Sequence, residues 1–168
     1  SADMPAIVIP VGPMLAGKHE GARLGACTDC RRLWAAFRAG TLDQEGLDRA
    51  HDNLMPTSGT CMVMGTASTM ACIAETLGFT LPGAATAPAV SSERMRLAEA
   101  TGVRAVAMAK AGGPLPSELL TPAAIRNASA VLQATSGSTN AVVHLAAIAG
   151  RAGIAYDLDE LDRLGREV

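Results

Sequence analysis

The stretch Thr57-Ser-Gly-Thr60-Cys61-Met-Val-Met-Gly-Thr-Ala-Ser-Thr-Met-Ala-Cys-Ile-Ala-Glu-Thr-Leu77-Gly78 carries one charge, Glu75, in the 17 residues from Cys61 to Leu77. The hydroxyl-rich Thr57–Thr60 cluster reads as a helix cap, and Gly78 stands where glycine commonly ends a helix. Between them the pattern predicts a helix over 61–77 that is apolar or small almost all round. Such a helix is buried on every side. Gly65, Ala67, Ser68 and Ala71 would let neighbouring backbones come close.

Working outward, residues 6–11 (Ala-Ile-Val-Ile-Pro-Val) form a continuously apolar run, as buried parallel strands do, ended by Gly12-Pro13 and followed by a glycine-rich loop from Gly17 to Gly25. A helix is expected from about residue 29 to 39, closed by Gly40. Asp43 opens another, with Leu47, Ala50, His51 and Leu54 on one face and Pro56 as its stop. Ser92-Glu93 starts a helix expected to break at Gly102 and resume through Ala111. Thr121-Pro122 starts the next, with proline in the first-turn position it tolerates. Ser136–Asn140 opens a helix over Ala141–Ala149, residues 154–158 suggest a second strand, and a polar helix follows. The reading is α/β, largely helical, with one or two parallel strands.

The whole chain has 168 residues, enough for about one domain. It is 49% apolar, with 33 alanines, 17 glycines and four aromatic residues (Trp34, Phe37, Phe79 and Tyr156). Its charged fraction of 18% excludes a disordered chain. A net charge of −2 without basic clusters lacks the electrostatic footprint of a nucleic-acid binder. No apolar run reaches the ~18 residues a membrane span needs without a charge or a Pro/Gly interruption. Nor does a basic, cleavable leader precede the first apolar run, so a cytoplasmic location is expected. Ser1 without an initiator Met and a helical pattern running to Val168 suggest a piece of a longer protein.

Chemistry-bearing residues are few. Cys27-Thr-Asp-Cys30 has the spacing of a zinc half-site or a redox dithiol, or is a pair of ordinary thiols. Cys61 and Cys72 cannot serve one metal, because 11 residues of helix rise ~16 Å. Cys61, placed by this reading in the first turn of a buried helix, is open to two roles. The helix end favours a thiolate, hence a metal or cluster ligand or a nucleophile, but a buried cysteine is also a small hydrophobe. Cys72 reads as packing. Gly137 with Ser138, Thr139 and Asn140 makes an anion cradle at a helix start, fit for a carboxylate or a phosphate, or an ordinary cap. His144, one turn on, reads as a core residue; Gly12–His19, leaving a strand end where open α/β sheets bind ligands, makes Lys18 and His19 a third candidate or a solvated loop. No Ser–His–Asp, phosphate-loop, dinucleotide or H-E-x-x-H pattern is present.

Taken in order, Gly12-Pro-Met-Leu-Ala-Gly-Lys18, Met55-Pro-Thr-Ser-Gly-Thr-Cys61, Gly65-Thr-Ala-Ser-Thr-Met70, Glu75-Thr-Leu-Gly78, Leu81-Pro-Gly83, Ala123–Ala128, Gly137–Leu145 and Asp159–Leu164 resemble the dihydroxy-acid and sugar-acid dehydratases (the IlvD/Edd family). The resemblance covers essentially the whole chain. It implies that residues 1–168 are a single part of the N-terminal domain, of three-layer α/β/α type, with a C-terminal domain absent from this stretch. The implied reaction dehydrates a small polyhydroxy acid, a 2,3-dihydroxy carboxylic acid, to a 2-keto-3-deoxy acid. The implied cofactors are an iron–sulfur cluster (2Fe-2S or 4Fe-4S) held by three cysteines, and Mg²⁺. Cys61 falls on the third cluster position. The other two cysteines, the Mg²⁺ ligands and the base would lie outside this stretch, leaving it inactive alone. Cys27 and Cys30 match no cluster position. The residues after Cys61 look more like the sugar-acid branch than the branched-chain amino-acid one, and the resemblance also implies a homo-oligomer. Two readings from other classes remain beside it: a non-catalytic carboxylate-binding module using Ser138, Thr139 and Asn140, and a C-x-x-C zinc or redox module.

Overall fold

The structure is a computed structural model and describes residues 3–168. Two short antiparallel strands come first, β1 (Lys18–His19) and β2 (Ala22–Arg23), joined by Glu20 and Gly21, both at positive φ. Positive φ at both central residues matches the right-handed twist of a tight hairpin. Helix α1 (Ala26–Arg38) packs on α2 (Gln44–Leu54), which packs on β1. Leu24, Leu33, Leu47, Ala50 and Leu54 are buried between them, with Cys30, Phe37 and Leu42 at the margin. Asp43 caps α2 by accepting a hydrogen bond from the Gly46 amide at 2.7 Å. Replacing Asp43 with Ala is expected to cost about 1 kcal/mol in urea unfolding, the usual value of such a cap.

The larger core joins α3 (Thr66–Thr76), α6 (Pro122–Ala134) and α7 (Asn140–Arg151). Ile73, Leu77, Ile125, Ala128, Leu132, Ala141, Leu145 and Ala149 close it. The alanines are what allow three helices to meet there, since each is inaccessible to solvent and leaves room for a facing backbone. The amphipathic helix α8 (Leu158–Glu167) lies on α6 and buries Leu161 and Leu164. The 20-residue α4 (Ser92–Ala111) and the short α5 (Pro116–Leu119) complete the chain. No helix among the described residues is long and apolar enough to cross a membrane.

Four expectations are corrected. Residues 6–11 form no strand: Val8 donates to the Phe79 carbonyl at 2.7 Å, but no ladder develops, and Val8, Ile9 and Val11 are exposed. A parallel strand needs a partner along its length, and among the described residues a single isolated parallel bridge forms nearby, between Pro13 and Thr60. Residues 154–158 form no strand either. The Ile154 amide is used to close α7 by donating to Ala149 O, and the Asp157 carboxylate accepts from the Asp159 amide to cap α8, so no free extended stretch remains between them. Helix α4 runs unbroken through Gly102, which sits on an exposed face where glycine costs only about 1 kcal/mol. The central helix starts at Thr66, not Cys61, and buries one face, Thr69 and Ile73, while the rest of it is half-buried or exposed. The architecture is therefore mostly helical with one small antiparallel sheet, which an α/β class accommodates.

Candidate functional site

The first turn of α3 is the meeting point of the two constellations read from the sequence. Cys61 lies in the loop before it, half-buried and without a disulfide partner. The loop folds back on the helix, because the Ser68 hydroxyl donates to the Cys61 carbonyl at 3.4 Å. On its other side the loop is tied to the Gly12–Met14 segment: the Thr60 amide donates to Gly12 O, and the Met14 amide to Thr60 O, both at 2.9 Å. Gly59 makes that approach possible. Its φ is +136°, and a Cβ there would stand 2.7 Å from the Pro13 carbonyl carbon. Because Cys61 precedes the helix by five residues, the helix-end argument for it does not hold in its first-turn form.

Ser138, Thr139 and Asn140 start α7 directly beside this turn. Asn140 Nδ2 donates to Thr66 Oγ1 at 2.9 Å, and Thr66 Oγ1 and Ser138 Oγ are 3.1 Å apart. The Ser138 amide donates to Thr69 Oγ1 at 3.0 Å, and Ser138 Oγ accepts from the Asn140 amide at 3.3 Å. Thr139 is the cap residue, yet its side chain makes no capping bond. The cluster is therefore more than a cap: it stitches the starts of α3 and α7 together. Two hydroxyls share one hydrogen bond here, so one hydroxyl proton stays uncommitted and available to an acceptor. Thr139 and Asn140 are exposed and Ser138 half-buried, which leaves the cluster open to a ligand.

The remaining candidates lie elsewhere. His144 is exposed on α7 and is not a core residue. Lys18 is exposed in β1, and His19 faces Glu20 at 4.0 Å. Cys27 is exposed on α1 while Cys30 packs against the smaller core. The acid between them, Asp29, is turned away: the Gly25 amide and the Arg32 guanidinium hold its carboxyl below the usual range. Cys72 sits on α3 beside Glu75, and burial together with that carboxylate pushes its thiol up, which suits packing. Among the described residues no three His, Cys, Asp or Glu side chains converge. The Cys27–Cys30 pair thus finds no further zinc ligands there, and no carboxylate set is gathered that fits Mg²⁺. Cys61 offers one soft sulfur donor on a loop braced from both sides, and the described residues place no further ligand beside it.

Two further residues gained no role from the sequence reading. Glu75 accepts the Gly83 amide at 2.7 Å and the Ala85 amide at 2.8 Å. Arg94 is 6% exposed and donates to three backbone carbonyls. Glu75 had a signal, being the single charge in an apolar stretch, which needs partners once buried. Arg94 had none, because a bond to a backbone carbonyl leaves no pattern of side chains.

The relatives of the chain are dehydratases of small acids. L-Arabinonate dehydratase of Rhizobium leguminosarum bv. trifolii is 46% identical over 168 residues, covering 100% of this chain and 29% of that protein. Dihydroxy-acid dehydratase of Methanospirillum hungatei is 42% identical over 166 residues (99% and 30%), and 6-deoxy-6-sulfo-D-gluconate dehydratase of Pseudomonas putida is 41% identical over 161 residues (96% and 28%). The chain belongs to the dihydroxy-acid/6-phosphogluconate dehydratase family, whose N-terminal model matches residues 1–168. It spans 28 to 30% of the length of these relatives.

Proposed function

We propose that this chain is the cluster-bearing part of a cytoplasmic, homo-oligomeric hydro-lyase that dehydrates a 2,3-dihydroxy sugar acid to its 2-keto-3-deoxy product. A longer protein with a C-terminal domain would supply the rest of the site. One observation carries this reading: the thiol loop at Cys61 and the polar cluster at Ser138–Asn140 are anchored to the same helical turn, through Ser68 and Thr66. Cys61 would hold an iron of a 2Fe-2S or 4Fe-4S cluster. When bound, the cluster supplies a Lewis-acidic iron for the departing 3-hydroxyl. The chain's own residues bind and orient. The uncommitted hydroxyl proton of the Thr66–Ser138 pair and the Asn140 amide group donate to the substrate carboxylate, fixing C2 and C3 relative to Cys61. In the overall reaction the C2 proton goes to a base, the C3 hydroxyl leaves as water, and the resulting enol becomes the ketone. Base and Mg²⁺ are assigned to residues outside this chain.

The full-length protein, assayed with pentonic and hexonic acids and with a branched 2,3-dihydroxy acid, is expected to release a 2-keto-3-deoxy acid fastest from a sugar acid. Release from none of them would sink the proposal. Asn140→Ala is expected to raise KM about tenfold with kcat changed far less, since a hydrogen bond to a charged group is worth about 1.5–3 kcal/mol. A fall in kcat at unchanged KM would remove Asn140 from carboxylate binding.

A further inference from the structure

Arg94 is a buried cation that forms no salt bridge among the described residues. Its Nη2 donates to Ala84 O at 2.7 Å and Ala87 O at 2.5 Å, and its Nη1 to Pro10 O at 2.8 Å. Its Nε is buried with no partner. Burying a charge in this way is costly unless something compensates it. The compensation is one peptide away. The Ala84–Ala85 peptide offers its carbonyl to Arg94 and its N–H to Glu75, at 2.8 Å from Oε2. Its dipole therefore lies between carboxylate and guanidinium with both ends correctly oriented, and each bond polarises the other.

We propose that Glu75 and Arg94 are one positioning pair, joined through the Ala84–Ala85 peptide, which holds the Gly12–Met14 segment and through it the Cys61 loop. The path is continuous. Arg94 grips Pro10 O, and a Cβ at Gly12 would stand 2.5 Å from Arg94 Nη2, so the backbone lies directly against the guanidinium. The Ala89 amide donates to Pro13 O at 2.9 Å, fastening the same segment from the loop that the pair organises. Gly12 O then accepts both the amide and the hydroxyl of Thr60, at 2.9 and 3.3 Å, and Cys61 is the next residue. Arginine is required because one planar fork reaches carbonyls on two separate segments, which a lysine point charge cannot do. The geometry stands without any ligand on Cys61; its importance for turnover rests on the cluster reading above.

The test is residue-resolved iodoacetamide labelling of the full-length protein in the presence of a chelator, with exposed Cys27 as internal reference for Cys61. Glu75→Gln and Arg94→Met are each expected to raise the Cys61-to-Cys27 labelling ratio about tenfold, with helical circular dichroism unchanged. The double variant is expected to match the single ones instead of multiplying them, because both remove one unit. Arg94→Lys should fall between. Unchanged ratios in folded variants, or effects that multiply, overturn the pair. Should the variants fail to fold, amide exchange of the unsubstituted protein decides. The Ala85 and Thr60 amides are expected to open together, and a Thr60 amide exchanging a hundredfold faster than Ala85 overturns the path. Failure of the cluster reading shows itself separately, in the absorbance of a Cys61→Ser protein, and leaves the labelling result standing.

Discussion

On the proposed function, replacing Cys61 with Ser is expected to strip the full-length protein of iron–sulfur absorbance in the visible range and to lower dehydratase turnover by more than about 100-fold, the upper end of what losing an outer-shell partner costs. The substitution exchanges one atom on a half-buried loop residue and leaves both cores untouched, so helical content and unfolding should change little. Cys72→Ser provides the contrast. That thiol is held up in its protonated form by burial and by Glu75, and it stands inside α3 away from the loop, so absorbance and turnover should survive. Equal losses in the two variants would place the defect in folding, and retained absorbance in Cys61→Ser would end the ligand assignment.

Gly59→Ala is expected to be nearly as damaging without removing any polar group. Alanine at φ +136° costs on the order of 1–3 kcal/mol in backbone strain alone. The added methyl group would also stand 2.7 and 2.8 Å from the backbone of Pro13 and Met14, atoms that cannot swing aside as a side chain would. Relief requires the loop to lift from Gly12–Met14, which breaks the Pro13–Thr60 bridge and moves Cys61 with it. Thermal unfolding of the cores should fall modestly, while iron content of the full-length protein falls steeply. A variant with normal iron content would show that the Gly59 approach is not what places Cys61.

The helices bounded by local chemistry were legible in the sequence. Asp43 caps α2, Thr121 with Pro122 starts α6, and Gly40 takes the positive φ that ends the α1 region. Each signal is carried by a residue whose own backbone preference does the work. The run over 6–11 carries no such signal, because a short apolar stretch has the same composition whether or not a neighbouring strand exists to pair with it. The hairpin over 18–23 escaped because its turn is Glu20-Gly21, lacking the Asn or Asp that usually marks one. Within the site, Cys61 and Ser138–Asn140 were legible as separate pieces. Their union was not, since it depends on Thr66 and Ser68, two small hydroxyl residues whose importance lies only in what the fold sets beside them.

The stitch between Thr66, Ser138 and Asn140 has a thermodynamic consequence. Thr66 joins the start of α7 through the Ser138 hydroxyl, and Ser68, in the same turn of α3, holds the Cys61 carbonyl, so order at the start of α7 and order in the loop ahead of α3 are coupled through one helical turn. On the proposed function, a carboxylate that tightens the cluster is expected to tighten the seat of Cys61, and by reciprocity whatever Cys61 holds would raise affinity for the carboxylate by the same factor. Filling the thiol side is then part of preparing the acid side, and substrate should in turn slow the loss of metal from the protein.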